Sequence, residues 1–254
     1  MRTLSAVAAA IGVLALSALA IPAAHADEKF GDTEITGVVV NGDRPIVLGT
    51  TERTVTVEVT ATDPAGFDAI NATLYHGPYS APDATVSSTS ACGPTTDATS
   101  TCTLTFTLEP GTVPADDASA GTWSVSAYAI ASDSDAEFLD SAATVAVQRD
   151  TRITADATPE RVAWGRTITV TGGVRHADWA TGTYTGAEAG RPVELQFREE
   201  GCDTYTTVKT VRTAADGTVS TTVLATSDGS YRWAYAGTAD TAAAVSAGDF
   251  IDVR

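Results

Sequence analysis

Two stretches constrain this chain more than any other feature. Gly229-Ser-Tyr-Arg-Trp-Ala-Tyr-Ala-Gly237 and Gly121-Thr-Trp-Ser-Val-Ser-Ala-Tyr-Ala-Ile130 share one plan. Each opens on Gly, places an aromatic residue two positions later and then alternates with period two, the period of a strand with two unlike faces. The alternation recurs in Thr54-Val-Thr-Val-Glu-Val-Thr60, which puts Val55, Val57 and Val59 on one face. Cys102-Thr-Leu-Thr-Phe-Thr-Leu108 does the same with Leu104, Phe106 and Leu108. In the second half, Ile168 and Val170 form one such face, and Val193, Leu195 and Phe197 another. Asn41-Gly42-Asp43 and Asp63-Pro-Ala-Gly66 read as turns, and Asp216-Gly217 predicts a hairpin joining 205–213 to 218–226. Apolar residues keep no helical spacing over a useful length. The expectation is an all-β chain of two sandwiches, each built around one of the two repeated stretches.

The chain starts with a secretory pattern over residues 1–26. Arg2 precedes an apolar run from Leu4 to Ile21, and Ala24-His25-Ala26 forms a small-residue cleavage site. The expected product begins near Asp27, is secreted and extracellular, and inserts into no membrane after signal removal. That leaves two domains of about 100 residues, expected at 27–148 and 149–254.

Charge is divided unevenly between them. Residues 27–148 hold 18 Asp and Glu against Lys29, Arg44 and Arg53, a net of −15. Residues 149–254 hold 14 against 11, a net of −3. Nucleic acids and anionic membranes are bound through Lys and Arg, so neither is an expected partner. Cations are attracted instead, although an acidic surface also serves solubility alone. Of three cysteines, Cys92 and Cys102 lie close enough to pair in an oxidising compartment. Cys202 is left over, as a free thiol or an intermolecular bridge.

Several motifs carry a family resemblance. Asp228-Gly-Ser-Tyr231 with Trp233 resembles the corner that opens strand F of an immunoglobulin-type sandwich, Trp233 standing where antibody domains place their second Cys. Thr158-Pro-Glu-Arg-Val162, Gly165-Arg-Thr-Ile-Thr-Val-Thr-Gly172, Gly190-Arg-Pro-Val-Glu-Leu-Gln-Phe197 and Ala247-Gly-Asp-Phe-Ile-Asp-Val253 extend the likeness. Together they resemble the immunoglobulin-like repeats of secreted and surface proteins of actinobacteria. The likeness covers most of 151–254; in the first half only Val59-Thr-Ala-Thr-Asp-Pro-Ala-Gly66 and the central strand match. It implies two tandem immunoglobulin-like β-sandwich domains after a signal peptide. It also implies stalks, adhesive modules and accessory domains rather than catalysts, and some members are labelled calcium-binding.

In that topology the loop after the second strand lies beside the loop before the last. Asp63 and Asp68 are therefore expected near Asp133, Asp135, Glu137 and Asp140. Converging hard oxygen ligands suit Ca²⁺, although no EF-hand loop is present and a solvated acidic loop is the plain alternative. The matching loop of the second half, with Arg175, His176, Asp178, Trp179 and Tyr184, faces the first domain. Gln148-Arg-Asp-Thr151 is too short for a free linker, so Trp179 is expected to pack between the domains, near Arg44, Arg53, Asp116 and Asp117. His76 and His176 lack any surrounding nucleophile motif, and no His pair is spaced for Zn²⁺. No catalytic residue and no obligatory cofactor are expected. The leading reading is a non-catalytic structural or interaction protein whose partner is a protein or a cell-surface polymer. The alternatives are a Ca²⁺-binding extracellular protein and a secreted hydrolase inhibitor presenting loop 77–100, pinned by Cys92–Cys102.

Overall fold

A computed structural model describes residues 27–254. The predicted signal segment lies outside the described residues. Nine strands build the first sandwich: β1 (Glu28–Phe30), β2 (Glu34–Val40), β3 (Ile46–Leu48), β4 (Arg53–Thr62), β5 (Phe67–His76), β6 (Ala84–Ser87), β7 (Thr99–Leu108), β8 (Gly121–Ala131) and β9 (Ala136–Arg149). One sheet runs β2-β4-β7; the other runs β1-β9-β8-β5-β6, with β3 parallel to β9. The period-two reading holds residue by residue. In β4, Val55, Val57 and Val59 are buried while Thr54, Thr56 and Glu58 are exposed. In β7, Leu104, Phe106 and Leu108 face the same core, and Val57 pairs with Leu104 across the sheet. The central strand β8 contributes Trp123, Val125, Ala127 and Ala129 from the opposite sheet.

The second sandwich comprises β10 (Thr151–Thr158), β11 (Arg161–Val162), β12 (Arg166–Asp178), β13 (Thr183–Gly186), β14 (Pro192–Glu199), β15 (Thr206–Arg212), β16 (Thr218–Ala225), β17 (Gly229–Tyr235), β18 (Ala244–Val245) and β19 (Asp249–Val253). β12 pairs with β10, β13 and β16; the facing sheet runs β11-β19-β17-β14-β15. Trp233 of β17 is fully buried, and its indole N–H donates across the core to the Thr171 carbonyl at 3.0 Å. Gly172 is what admits that ring, since a Cβ there would stand 2.7 Å from the indole and 2.2 Å from the Thr154 oxygen.

Three expectations change. The Asp216-Gly217 turn forms, with Ala214 N–H donating to Thr218 O at 2.8 Å, but it is not the tip of a hairpin. β15 pairs with β14, and β16 pairs with β12 in the opposite sheet. The chain crosses between layers there because Val219 and Ala225 must face the core from the β12 side. The loop expected to carry Arg175, His176, Asp178, Trp179 and Tyr184 contains the end of β12 and the whole of β13. The acidic loop expected at 131–140 shrinks to a turn at 132–135, because β9 begins at Ala136.

Cys92 and Cys102 are bonded, with Cα atoms 5.9 Å apart, and Cys202 is free and exposed. The bridge pins the 77–98 segment to β7, helped by Thr89 N–H to Thr105 O at 2.7 Å, while the Thr95–Phe67 backbone pair ties it to the start of β5. Changing both bridged cysteines to Ala is expected to lower stability by about 2–3 kcal/mol, the closure entropy of a ring this short. A drop in denaturant midpoint at unchanged m measures it.

Only Asp150 separates β9 from β10. Trp179, 1% exposed, joins the hydrophobic core of the first sandwich together with Ala177. Its indole N–H donates to Leu48 O at 3.2 Å, and its backbone N–H donates to Asp117 Oδ1 at 2.8 Å. Trp179 thus packs between the sandwiches as expected, and Asp117 is among the residues it meets.

Candidate metal centre

The far tip of the first sandwich lies at the opposite end of the 14-residue β9 from Arg149. Three turns meet there: 31–33 after β1, 63–66 after β4, and 132–135 between β8 and β9. Asp63 closes β4 and is 1% exposed. Its Oδ1 accepts from Ala65 N–H at 2.8 Å and its Oδ2 from the Thr33 hydroxyl at 2.6 Å, so both oxygens are oriented. Asp135 Oδ2 accepts from Asp32 N–H at 3.1 Å, and Asp133 Oδ1 accepts from Asp135 N–H at 3.2 Å. Gly31, at φ +73°, lets the turn in under Asp135; a Cβ would fall 1.6 Å from that carboxylate.

Asp32, Asp63 and Asp135 each offer a carboxylate oxygen, and the three oxygens lie within 4.8 Å of one another. Asp32 is exposed; local desolvation by its neighbours raises its carboxyl above the usual range, and the charges of Asp63, Asp135 and Asp133 raise it further. Among the described residues Asp63 has no ion-pair partner, and the tip's nearby Lys29 is drawn to Glu137 at 3.8 Å. The donor set is all oxygen and all carboxylate, which fits a hard divalent cation and not Zn²⁺.

Of the five predicted ligands, Asp63 and Asp135 come together and Asp133 borders them. Asp68 turns aside to accept from the Ser132 hydroxyl at 2.8 Å. Glu137, in β9 rather than in the loop, accepts from Ile35 N–H. Asp140 is likewise in β9, where its N–H donates to Asp27 and its carbonyl accepts from Tyr75. The ligand missed is Asp32. Its signal is the Gly31-Asp32-Thr33 turn, whose place at the tip depends on β1 pairing with β9.

The junction is the other charged cluster. Arg149, 7% exposed, pairs with Asp117 and, at 3.3 Å, with Glu188. Tyr184 donates to Asp150 Oδ2 at 2.6 Å; burial, that hydrogen bond and the Asp150 charge push its hydroxyl up to about 12, so it stays a donor. Neither histidine faces a nucleophile pair: His76 Nδ1 bonds Asp83 and His176 Nδ1 bonds the Thr151 hydroxyl.

No protein-family model matches the chain, and no curated protein matches it. Among solved structures, the fibronectin(III)-like modules of Clostridium thermocellum CbhA align at 13% identity, over 85% of this chain and 93% of theirs, with a TM-score of 0.35. The D0-D1 domain of intimin aligns at 14% identity, over 86% and 98%, with a TM-score of 0.28. A superoxide reductase (neelaredoxin) from Ignicoccus hospitalis aligns at 19% identity over 41% of this chain and 82% of its own, at 0.30. Likeness at this level carries no argument about activity; the strand order above rests on the chain's own pairing.

Proposed function

We propose that the chain is a secreted, non-catalytic interaction protein, and that Asp32, Asp63 and Asp135 hold a Ca²⁺ ion at its far tip. The observation supporting the ion is a buried carboxylate, Asp63, with an oxygen within 4.8 Å of those of two others and, among the described residues, no ion pair to a basic side chain. A cation there ties the turn after β1 to the β4–β5 and β8–β9 turns. Ca²⁺ is favoured over Mg²⁺ because carboxylates from three separate turns suit the irregular oxygen shell that Ca²⁺ accepts, whereas Mg²⁺ demands a near-ideal octahedron. The non-catalytic part of the reading is supported by the two described histidines, His76 and His176, each held by a structural hydrogen bond in a different sandwich. The partner in this reading is a protein or a cell-surface polymer.

A thermal melt of residues 27–254 in millimolar Ca²⁺, in Mg²⁺ and in chelator tests the ion. A site filled at ten times its dissociation constant adds about 1.4 kcal/mol, or roughly 3–6 °C in a chain this size. Asp135→Asn is expected to remove most of the shift while leaving the chelator melt in place. An equal shift in Mg²⁺, or none in Ca²⁺, sinks the assignment and leaves the acids as solvated surface.

A further inference from the structure

Trp123, Trp179 and Trp233 are at most 1% exposed, whereas Trp164 is 70% exposed. Slack in the backbone does not account for this. Trp164 N–H donates to Arg254 O at 2.8 Å, Gly165 N–H to Ala225 O at 2.8 Å and Arg166 N–H to Ala163 O at 3.1 Å. Three consecutive backbone bonds hold the turn between β11 and β12 that presents the indole to solvent.

Trp164 borders a surface cavity of about 380 Å³ at the end of the second sandwich away from the junction; Val253 and the polar residues Glu199, Glu200, Thr226, Ser227, Asp228 and Arg254 complete its lining. The floor is fixed as well. Glu200 N–H donates to Asp228 O at 2.9 Å, and Asp228 Oδ1 accepts from Val253 N–H at 2.6 Å. Glu199 and Glu200 are exposed and, among the described residues, form no ion pair.

This is one flat apolar face beside a rim that holds both acceptors and donors. A wholly apolar partner would strip water from the carboxylates without replacing their hydrogen bonds. A polyanion would be repelled by the same carboxylates and by a net charge of −17. An uncharged pyranose meets both demands. With equatorial hydroxyls, it has a face of axial C–H groups to lay on the indole. Each rim hydroxyl can donate to a carboxylate and accept from Ser, Thr or Arg. We propose that Trp164 and its cavity form a binding site for a neutral glycan whose units, like glucose or N-acetylglucosamine, carry equatorial hydroxyls. The proposal rests on the interaction-protein reading and names a polymer as the partner.

The test is a fluorescence titration of residues 27–254 with cellohexaose and with the N-acetylglucosamine hexamer, with acrylamide as quencher. The three buried indoles are shielded, so quenching reports Trp164. Saturable protection is expected with at least one hexamer. Trp164→Ala should weaken binding, followed by calorimetry, about tenfold or more, as loss of an aromatic anchor does. Its melting temperature should not move, because the side chain is exposed. Glu199→Gln with Glu200→Gln should weaken binding with Trp164 still in place. Three outcomes overturn the proposal: no protection at millimolar hexamer, protection unchanged by the Glu pair together with calorimetric binding unchanged by Trp164→Ala, or protection by an oligolysine peptide in place of the sugars. Chromatography of the recovered hexamers separates the two readings. Shortened oligosaccharides would overturn the non-catalytic reading, and intact hexamers without protection would overturn only the glycan site.

Discussion

Trp179→Ala splits the unfolding of this protein into two transitions. In the native chain the indole belongs to the second sandwich by sequence and to the first by packing. Its removal opens a void under Leu48 and leaves the Leu48 carbonyl without the indole donor. Truncations of this size in a close-packed core cost about 3–5 kcal/mol. The remaining ties are polar: backbone bonds from Arg149 N–H to Asp240 O, Ala242 N–H to Arg149 O and Ala177 N–H to Asp150 O, each 2.9 Å, and the side-chain bonds Gln148 to Thr238 O, Arg149 to Glu188 and Tyr184 to Asp150. These can hold the sandwiches beside each other but bury little apolar surface. Calorimetry is expected to show one cooperative transition for the native protein and two for the variant, the first sandwich melting earlier. A single transition at a lower temperature would instead mean that the backbone ties and the Arg149 ion pairs carry the coupling.

The parts of this architecture legible in the sequence are those where burial imposes a local period. β4 and β7 alternate because one face of each lies on the core, and that face shows as Val55, Val57 and Val59 or Leu104, Phe106 and Leu108. Turn chemistry is also local: Asp216-Gly217 closes a turn as expected. Whether the strands on either side pair with each other is not local. Val219 faces a core partly built by Val170 and Ala157, and no feature of residues 213–218 records that. β13 was illegible for a related reason. Only Tyr184 of Thr183-Tyr-Thr-Gly186 packs against a core, and that core is the other sandwich's, so no alternation marks the strand.

The tip follows the same division. Asp63 and Asp135 were expected together because the order of strands sets which loops are neighbours. Asp32 was not, because β1 reaches β9 across more than 100 residues of chain, and Glu28-Lys-Phe30 is too short and too exposed to read as a strand. Glu137 leaves the loop because β9 begins one residue before it, and there its carboxylate serves Ile35 and Lys29. The junction was easier to read, since the absence of any linker left Trp179 nowhere to go but the interface.

The same junction makes stability depend on pH through His176. The imidazole is 1% exposed, its Nδ1 bonds the Thr151 hydroxyl at 3.0 Å and its Nε2 has no partner among the described residues. Tyr235 lies against it at 5.5 Å between ring centres. Burial holds its pKa below the usual value, and the Arg149 charge lowers it further. Arg191 acts in the same direction, while Glu188 and Asp240 oppose both. A base whose folded pKa is depressed takes up its proton more readily when unfolded. Its contribution is therefore intact above the unfolded value of about 6.5 and is lost as pH falls below it. The loss is at most about 1.4 kcal/mol per pH unit and ends once the folded His176 titrates too. Arg149 adds to the effect, because its charge opposes a protonated His176 and its own Nε has no partner among the described residues. Carboxylates also titrate in acid, so the informative quantity is a difference. Denaturant midpoints of the native protein and of His176→Gln, taken from pH 8 to pH 5, should fall together in their carboxylate part. The native protein should show an added decline that starts near pH 6.5 and is missing in the variant. Parallel curves would mean that His176 stays neutral in both states, or is solvated in the folded one, and that acid reaches the junction by another route.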